Sequence, residues 1–394
     1  MKVKGFSAAA VEAGIRYQDR LDLGIIFSEV PAAAAGVFTQ SLVKAAPVLL
    51  DMERLKGGRA QAILVNSGIA NACTGEAGMK LAGSTAALLA GALTIPEELV
   101  QIASTGVIGE QLELSRFGDV MEKLVAGLSL DGIPDVARAI MTTDTVPKTA
   151  TRKIVIGGHE VTLAGIAKGA GMIMPDMATM LSFIMTDCAI RSDLLQSLLR
   201  QSVETSFNAI TVDGDTSTND TVLILANGMA KNPLIEKIDQ QEAAVFGEAL
   251  DDLTKDLALQ IVADGEGATK LVTIRVAGAR DSREAQAAAK TVANSNLVKT
   301  AFFGEDANWG RILAALGRSG AAFDPDRVEI AFDNVVMIKN GLGLGAEEES
   351  RATEVLKRDR FTVNIDLHAG DAVFEAYTCD FSLDYVRINA DYRS

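Results

Sequence analysis

The chain has 394 residues, 48% hydrophobic and 23% charged, a balance ordinary for a globular protein with a large core. Its 52 acids against 37 bases leave a net charge of −15, which repels phosphate backbones and anionic lipid and so excludes nucleic acid and membrane as natural partners. Cys73, Cys188 and Cys379 are widely spaced without a CxxC pair, and the first twenty residues lack the apolar run of a signal peptide, so a cytoplasmic protein is expected.

The N-terminal half alternates strand-like and helix-like segments. LDLGIIF and QAILVNSG predict strands, and MKLAGSTAALLAGAL and SRFGDVMEKLVAGL predict amphipathic helices. The uncharged stretch from Ala82 to Pro96 is too short to span a bilayer. IPDVARAIMTTD reads as a short helix, and TRKIVIGGHEVTLAGIAKG as a hairpin turning at Gly157-Gly158. Further on, Leu194 to Ile210 reads as a helix, TVLILAN as a buried strand, Glu242 to Ala263 as a long helix and KLVTIRVAG as another strand. Near residues 279–283 the chain turns polar, and a run of helix, helix, strand and strand begins. This predicts a core over residues 1–280 and a smaller domain over 281–394. The tail from Arg360 to Tyr392 carries alternating, strand-like patterns, YVRINADY included. The class is mixed α and β with layered sheets.

Two motifs match known ligand loops only loosely. Gly341-Leu-Gly343-Leu-Gly-Ala346 has the GxGxxA spacing, but about fifty residues follow it, too few for a dinucleotide-binding half with its partner. DGDTSTND (213–220) opens like a calcium loop, yet Thr218 stands where the turn glycine belongs and Ile224 where the bidentate glutamate belongs. Neither a metal nor a tightly bound cofactor is implied.

Histidine is scarce. Only His159 and His368 occur, both in strand-like surroundings where a surface or pairing role outweighs catalysis. A Ser-His-Asp, Cys-His or zinc site needs histidine beside its nucleophile or metal, so an enzyme built on this chain needs another base. KGAGMIMPDMATMLSFIMTD (168–187) offers one. A Gly-rich, Pro-containing entry precedes Ala178 and Thr179, and attack by the Thr179 hydroxyl on the Ala178 carbonyl would cut the chain there. The freed α-amine, with a pKa of about 7.7–8.0, could then take the proton of the hydroxyl on its own residue. Read blandly, the same segment is an apolar strand or core helix with a buried hydroxyl.

Residues 168–181, Lys-Gly-x-Gly-Met-Ile-x-Pro-x-Met-Ala-Thr-Met-Leu, resemble the cleavage motif of the ornithine acetyltransferase family. NSGIANACTG (66–75), STGVIGE (104–110), TTDTVPK (142–148), ITVDGDTSTND (210–220), DGEGATK (264–270), FFGEDANWGRI (302–312) and YVRINADYRS (385–394) resemble its segments in the same order. The likeness therefore runs through essentially the whole chain. Asp176 stands where many members carry asparagine, and Ile69 where NSGNAN is commoner.

The resemblance implies a layered α/β sandwich core of the self-processing, N-terminal-nucleophile-like type, with a smaller C-terminal α/β domain. It implies cleavage between Ala178 and Thr179 into chains 1–178 and 179–394, assembled as a heterotetramer of two each. Thr179 would be the nucleophile, and Thr105 and Gly106 the oxyanion hole. Thr142, Lys168, Thr179, Glu266, Asn389 and Ser394 would bind substrate. The implied reaction is ping-pong transfer of acetyl from N2-acetylornithine to glutamate, and some members of the family also accept acetyl-CoA as donor. The alternative in the same chemistry is a self-processing aminopeptidase or amidase that passes its acyl group to water. The acceptor-binding set of Lys168, Glu266, Asn389 and Ser394 argues against it.

Overall fold

Runs of branched aliphatic residues such as Ile25-Ile26 and Ile63-Leu64-Val65 form strands buried on both faces, because each neighbouring pair sends one side chain to either side of the pleat. The structure is a computed structural model describing residues 1–174 and 180–391. Its described strands, in chain order, are β1 (Phe6–Val11), β2 (Leu23–Phe38), β3 (Arg59–Asn66), β4 (Val100–Ser104), β5 (Lys148–Ile156), β6 (His159–Lys168), β7 (Leu181–Thr186), β8 (Ile210–Thr211), β9 (Thr221–Ala226), β10 (Leu271–Ala279), β11 (Glu329–Phe332), β12 (Val335–Lys339), β13 (Leu342–Gly343), β14 (Arg360–Asp366) and β15 (Ala372–Cys379). The helices are α1 (Ala46–Arg54), α2 (Gly75–Leu93), α3 (Leu114–Ala126), α4 (Ile133–Ala139), α5 (Ser192–Thr205), α6 (Gln241–Ala263), α7 (Ser282–Ala293), α8 (Asn296–Phe303), α9 (Trp309–Gly317), α10 (Ala346–Leu356) and α11 (Leu383–Asp391). The class is mixed α/β, as the sequence pattern implies.

Contacts divide the chain into two units. The larger comprises Met1–Asn208 and Asp215–Ile261. Its eight-stranded sheet runs β4-β3-β2-β9-β7-β6-β5, with β1 added against β2. The β3–β4 and β7–β9 pairs are parallel, and the other pairs are antiparallel. One face sends Ile25, Leu64 and Ile102 into a cluster with Ala86 and Leu89 of α2 and Phe117 and Met121 of α3. In another cluster Ile26, Ile63, Val65, Phe183 and Leu223 meet Ile133 and Val136 of α4. Helix α6 rests on β6 at Gly165, where a Cβ would come 2.8 Å from the Leu257 side chain. The β5–β6 hairpin turns at Gly157 (φ 55°) and Gly158 (φ 82°), positive values at both central residues that suit the tight turn read from the sequence.

The smaller unit comprises Ala209–Gly214 and the segment beginning at Val262. Its sheet runs β13-β12-β11-β14-β10-β15-β8. Val272, Ile274 and Val276 of β10 and Val363 and Ile365 of β14 pack with Ala285, Ala288, Ala289 and Val292 of α7 and Ile312 and Leu316 of α9. The alanine stripe lets α7 lie close to the strands, and Asp281 caps it by accepting from the Glu284 N–H at 2.8 Å.

Three details differ from the sequence reading. The contact boundary falls at 261/262 rather than near 280, because β10 pairs in parallel with β14 and antiparallel with β15 of the smaller unit. Three helices, not two, precede β11. Residues 383–391 form α11 rather than a strand. Ser382 Oγ accepts from the N–H groups of Asp384 and Tyr385 at 3.2 and 3.4 Å, and the Tyr385 ring stacks on Phe381 four residues back, with centroids 4.3 Å apart. The GxGxxA stretch forms a hairpin: β13 pairs antiparallel with β12, and Gly343 lies against the Trp309 ring. Among the described residues, no helix is long and apolar enough to cross a membrane.

Candidate active site

Three strand ends of the larger unit carry the site. At the end of β4 the chain turns through Thr105 and Gly106. Gly106 has a φ of 129°, and a Cβ there would sit 2.2 Å from the Gly68 carbonyl carbon, so only glycine lets the two turns touch. The Thr105 N–H is taken by the Asn66 carbonyl at 3.0 Å, whereas the Gly106 N–H has no hydrogen-bond partner among the described residues. Buried amides lock these turns. Asn66 accepts from Ser104 Oγ at 2.7 Å and donates to the Ile69 carbonyl at 3.0 Å, while Asn219 donates to the carbonyls of Ala70 and Ser104 at 2.7 and 2.8 Å. Ile69 is buried in the apolar cluster over α2 and α3.

Lys168 ends β6 and is almost fully buried. Its ammonium donates to the Thr142 hydroxyl at 2.9 Å and lies 3.4 Å from the Thr105 hydroxyl. Thr142 comes from the segment between α4 and β5. Thus Thr105, Thr142 and Lys168, from three separate segments, meet around one cation.

Beneath them lies Asp144, wholly enclosed. It accepts from the Thr142 N–H at 3.0 Å, the Gly169 N–H at 2.7 Å and the Lys148 ammonium at 2.5 Å, with Lys168 Nζ 3.9 Å away. Burial would push the Asp144 carboxyl up, but the charges of Lys168 and Lys148 outweigh it and hold the pKa at about 2. The carboxylate is therefore ionised at neutral pH. Sequence reasoning placed Asp144 and Lys148 inside the TTDTVPK segment and gave neither a role. The available signal was an acid four residues before a lysine and beside a threonine expected to bind substrate.

β7 begins where β6 ends, with Lys168 paired to Leu181. Asp220 fixes the entry to β7. Its Oδ1 accepts from the Met180 N–H at 2.9 Å, and the Thr221 N–H donates to the Met180 carbonyl at 3.1 Å. Its Oδ2 is buried with no hydrogen-bond partner among the described residues, and burial pushes its pKa well above the usual carboxylate range. Ala178 and Thr179, the expected cleavage pair, lie outside the described residues, as does Ser394.

In the smaller unit Glu266 is buried and Asn389 exposed, and they meet directly. Asn389 Nδ2 donates to Glu266 Oε2 at 2.7 Å and to the Tyr385 carbonyl at 3.1 Å. The DGEG turn fits tightly against the start of α11, since a Cβ on Gly267 (φ 68°) would come 2.6 Å from the Tyr385 nitrogen. Asp380 secures the following residues by accepting from the N–H groups of Thr269 and Lys270 and from the Thr269 hydroxyl. The histidines lie apart from both groups of residues: His159 is exposed at the start of β6, and His368 lies 3.5 and 3.7 Å from Asp366 and Glu329.

A family profile, the ArgJ family, matches residues 7–394. The arginine biosynthesis bifunctional protein ArgJ of Desulfotalea psychrophila is 60% identical over 394 residues, covering 100% of both chains. That of Geobacter sulfurreducens is 54% identical over the same span, again with complete coverage of both. Among solved structures, the arginine biosynthesis bifunctional protein of Bacillus halodurans is 44% identical with a TM-score of 0.52, over 53% of this chain and 98% of that one.

Proposed function

The chain belongs to the ArgJ family, and on that premise we propose that it moves acetyl from N2-acetyl-L-ornithine to L-glutamate through an ester on Thr179. It is an acetyltransferase of arginine biosynthesis acting on small amino-acid substrates, and this match does not favour the hydrolase alternative. The observation that carries the reading is the full-length match together with the Thr105–Thr142–Lys168 cluster at the strand ends.

The proposed chemistry starts with cleavage of the Ala178–Thr179 bond, which gives Thr179 a free α-amine. That amine takes the proton of the Thr179 hydroxyl as the oxygen attacks the acetyl carbonyl of acetylornithine. The carbonyl oxygen becomes an oxyanion, which the Gly106 N–H and Thr105 hydroxyl stabilise. The C–N bond then breaks, the proton passes to the leaving amine, and ornithine departs. Glutamate enters, its α-amine attacks the ester, and N-acetylglutamate leaves with the Thr179 hydroxyl restored. Lys168 and Thr142 suit a substrate carboxylate, while Glu266 and Asn389 suit an ammonium group. We assign Ser394 to the same binding set. No cofactor is needed. The relatives are named bifunctional, and we propose acetyl-CoA as a second donor. We also propose a cytoplasmic enzyme made of two copies each of chains 1–178 and 179–394.

Intact-mass spectrometry of the wild type beside Thr179→Ala tests the core of this reading. Two co-purifying fragments, one ending at Ala178 and one beginning at Thr179, should occur in the wild type and not in the variant. A single uncut chain of 41.5 kDa in the wild type would sink the mechanism.

A further inference from the structure

Two of the residues assigned to substrate, Thr142 and Lys168, lie 26 positions apart in sequence, and a single carboxylate takes the backbone N–H of Thr142 and that of Gly169, the residue after Lys168. Asp144 Oδ2 accepts from the Thr142 N–H, folding residues 142–144 back so that the Thr142 hydroxyl meets Lys168 Nζ at 2.9 Å. Asp144 Oδ1 accepts from the N–H of Gly169, the residue next to Lys168, whose φ of 152° is one that glycine adopts readily. Lys168 Nζ lies 3.9 Å from Asp144 Oδ2, near enough to be oriented by its field but beyond hydrogen-bond range. The ammonium that does bond to the carboxylate is that of Lys148, fully enclosed at 2.5 Å.

We propose that Asp144, charge-balanced by Lys148, is the positioning residue that builds the carboxylate-binding nest of Lys168 and Thr142, a role that rests on the acetyl-transfer reading above. Lys148 takes the hydrogen bond to the carboxylate, while Lys168 Nζ stays 3.9 Å away and bonds to the Thr142 hydroxyl. Asp220, another acid whose field reaches Lys168, is driven toward its neutral form by burial. The nest therefore presents a cation and a hydroxyl to an incoming anion. Its ligand class is an acylated amino acid with a free α-carboxylate.

The test compares wild type, Asp144→Asn, the double variant Asp144→Asn/Lys148→Met, and Lys148→Met alone. Each is examined by intact mass, by thermal unfolding, and by kcat and KM for N2-acetylornithine and for its α-carboxamide analogue. The double variant removes both charges of the buried pair, so its fold is expected to recover while the orientation of Lys168 does not. Its KM for acetylornithine should rise about 10- to 100-fold while that for the carboxamide changes about threefold or less, so that the preference for a carboxylate collapses. Lys148→Met should show the same loss of preference, because Asp144 without its partner draws Lys168 onto itself. A double variant or Lys148→Met that folds with wild-type preference would overturn the proposal and leave the acetyl-transfer reading intact. A wild type that is uncut, or inactive on acetylornithine, would overturn that reading and this one with it.

Discussion

Asp144 and Asp51 are both fully enclosed carboxylates of the larger unit, and their surroundings drive them in opposite directions. Asp144 accepts from two backbone N–H groups and one ammonium, with a second ammonium 3.9 Å away, and its pKa falls to about 2. Among the described residues, the Asp51 carboxylate, on α1, accepts only from the Ile102 N–H at 2.9 Å. Its second oxygen has no hydrogen-bond partner among the described residues. Burial pushes it well above the usual carboxylate range, and the Ile102 N–H and the Arg54 charge offset this only in part. Burial alone therefore does not mark a site. What distinguishes the Asp144 region is that charges of both signs have been brought into the interior and matched, an arrangement costly enough to need a use.

The sharpest way to break that match is Asp144→Asn, which removes the negative charge bonded to the buried Lys148 ammonium. Stability should fall by about 3–5 kcal/mol in urea melts, and Asp144→Asn/Lys148→Met should regain most of it. The wild type should carry the same signature in its pH dependence. A folded pKa of about 2 lies below the ordinary value of 3.8, so this stabilisation is present above pH 4 and is lost as pH falls toward 2. The shift corresponds to about 2 kcal/mol. A single Asp144→Asn variant as stable as wild type at pH 7 would show that the pair is not matched as described.

Thr105→Ala tests the chemistry above the pair. If the hydroxyl helps to hold the oxyanion, kcat should fall about 10²- to 10³-fold with little change in KM, a loss near 3–4 kcal/mol. Thr105→Ser should restore much of it. A loss confined to KM would instead place the hydroxyl in ground-state binding beside Lys168, which it approaches at 3.4 Å. In the smaller unit, Glu266→Gln keeps the shape that meets Asn389 but removes the charge. It should raise KM for substrates bearing an ammonium group by about tenfold and leave unfolding unchanged. An equal effect on substrates lacking that group would make Glu266 a structural partner of α11 and nothing more.

Much of this was legible before any coordinates, for local reasons. The Gly157-Gly158 hairpin was readable because two adjacent glycines supply the positive φ values its turn requires. Helix α6 was readable from a long apolar period. The errors arise where distant contacts decide. YVRINADY alternates like a strand, but the Ser382 cap and the stacking of Tyr385 on Phe381 make it a helix. The division near 280 could not foresee that β10 pairs with a strand some ninety residues later. Thr105, Thr142 and Lys168 were identified through motifs, whereas Asp144 was not, because its partner Gly169 lies 25 residues away and no local pattern records the contact.

The smallest expected effect sharpens the comparison from Asp51's side. Because its folded pKa is raised above the unfolded value, the folded chain holds the Asp51 proton more tightly than the unfolded chain does. Wild-type stability should therefore fall as pH rises from about 4 through that raised value, opposite in sign to the contribution of Asp144. Asparagine at position 51 can still accept from the Ile102 N–H and has no proton to lose. Asp51→Asn should thus match wild type at pH 4 and exceed it by about 1 kcal/mol at pH 8, measured by urea melts at the two values. Activity should not change, since α1 bears none of the residues proposed to face substrate. A variant less stable than wild type at pH 8 would mean that the Asp51 carboxylate is satisfied after all, and the contrast with Asp144 would then be one of degree.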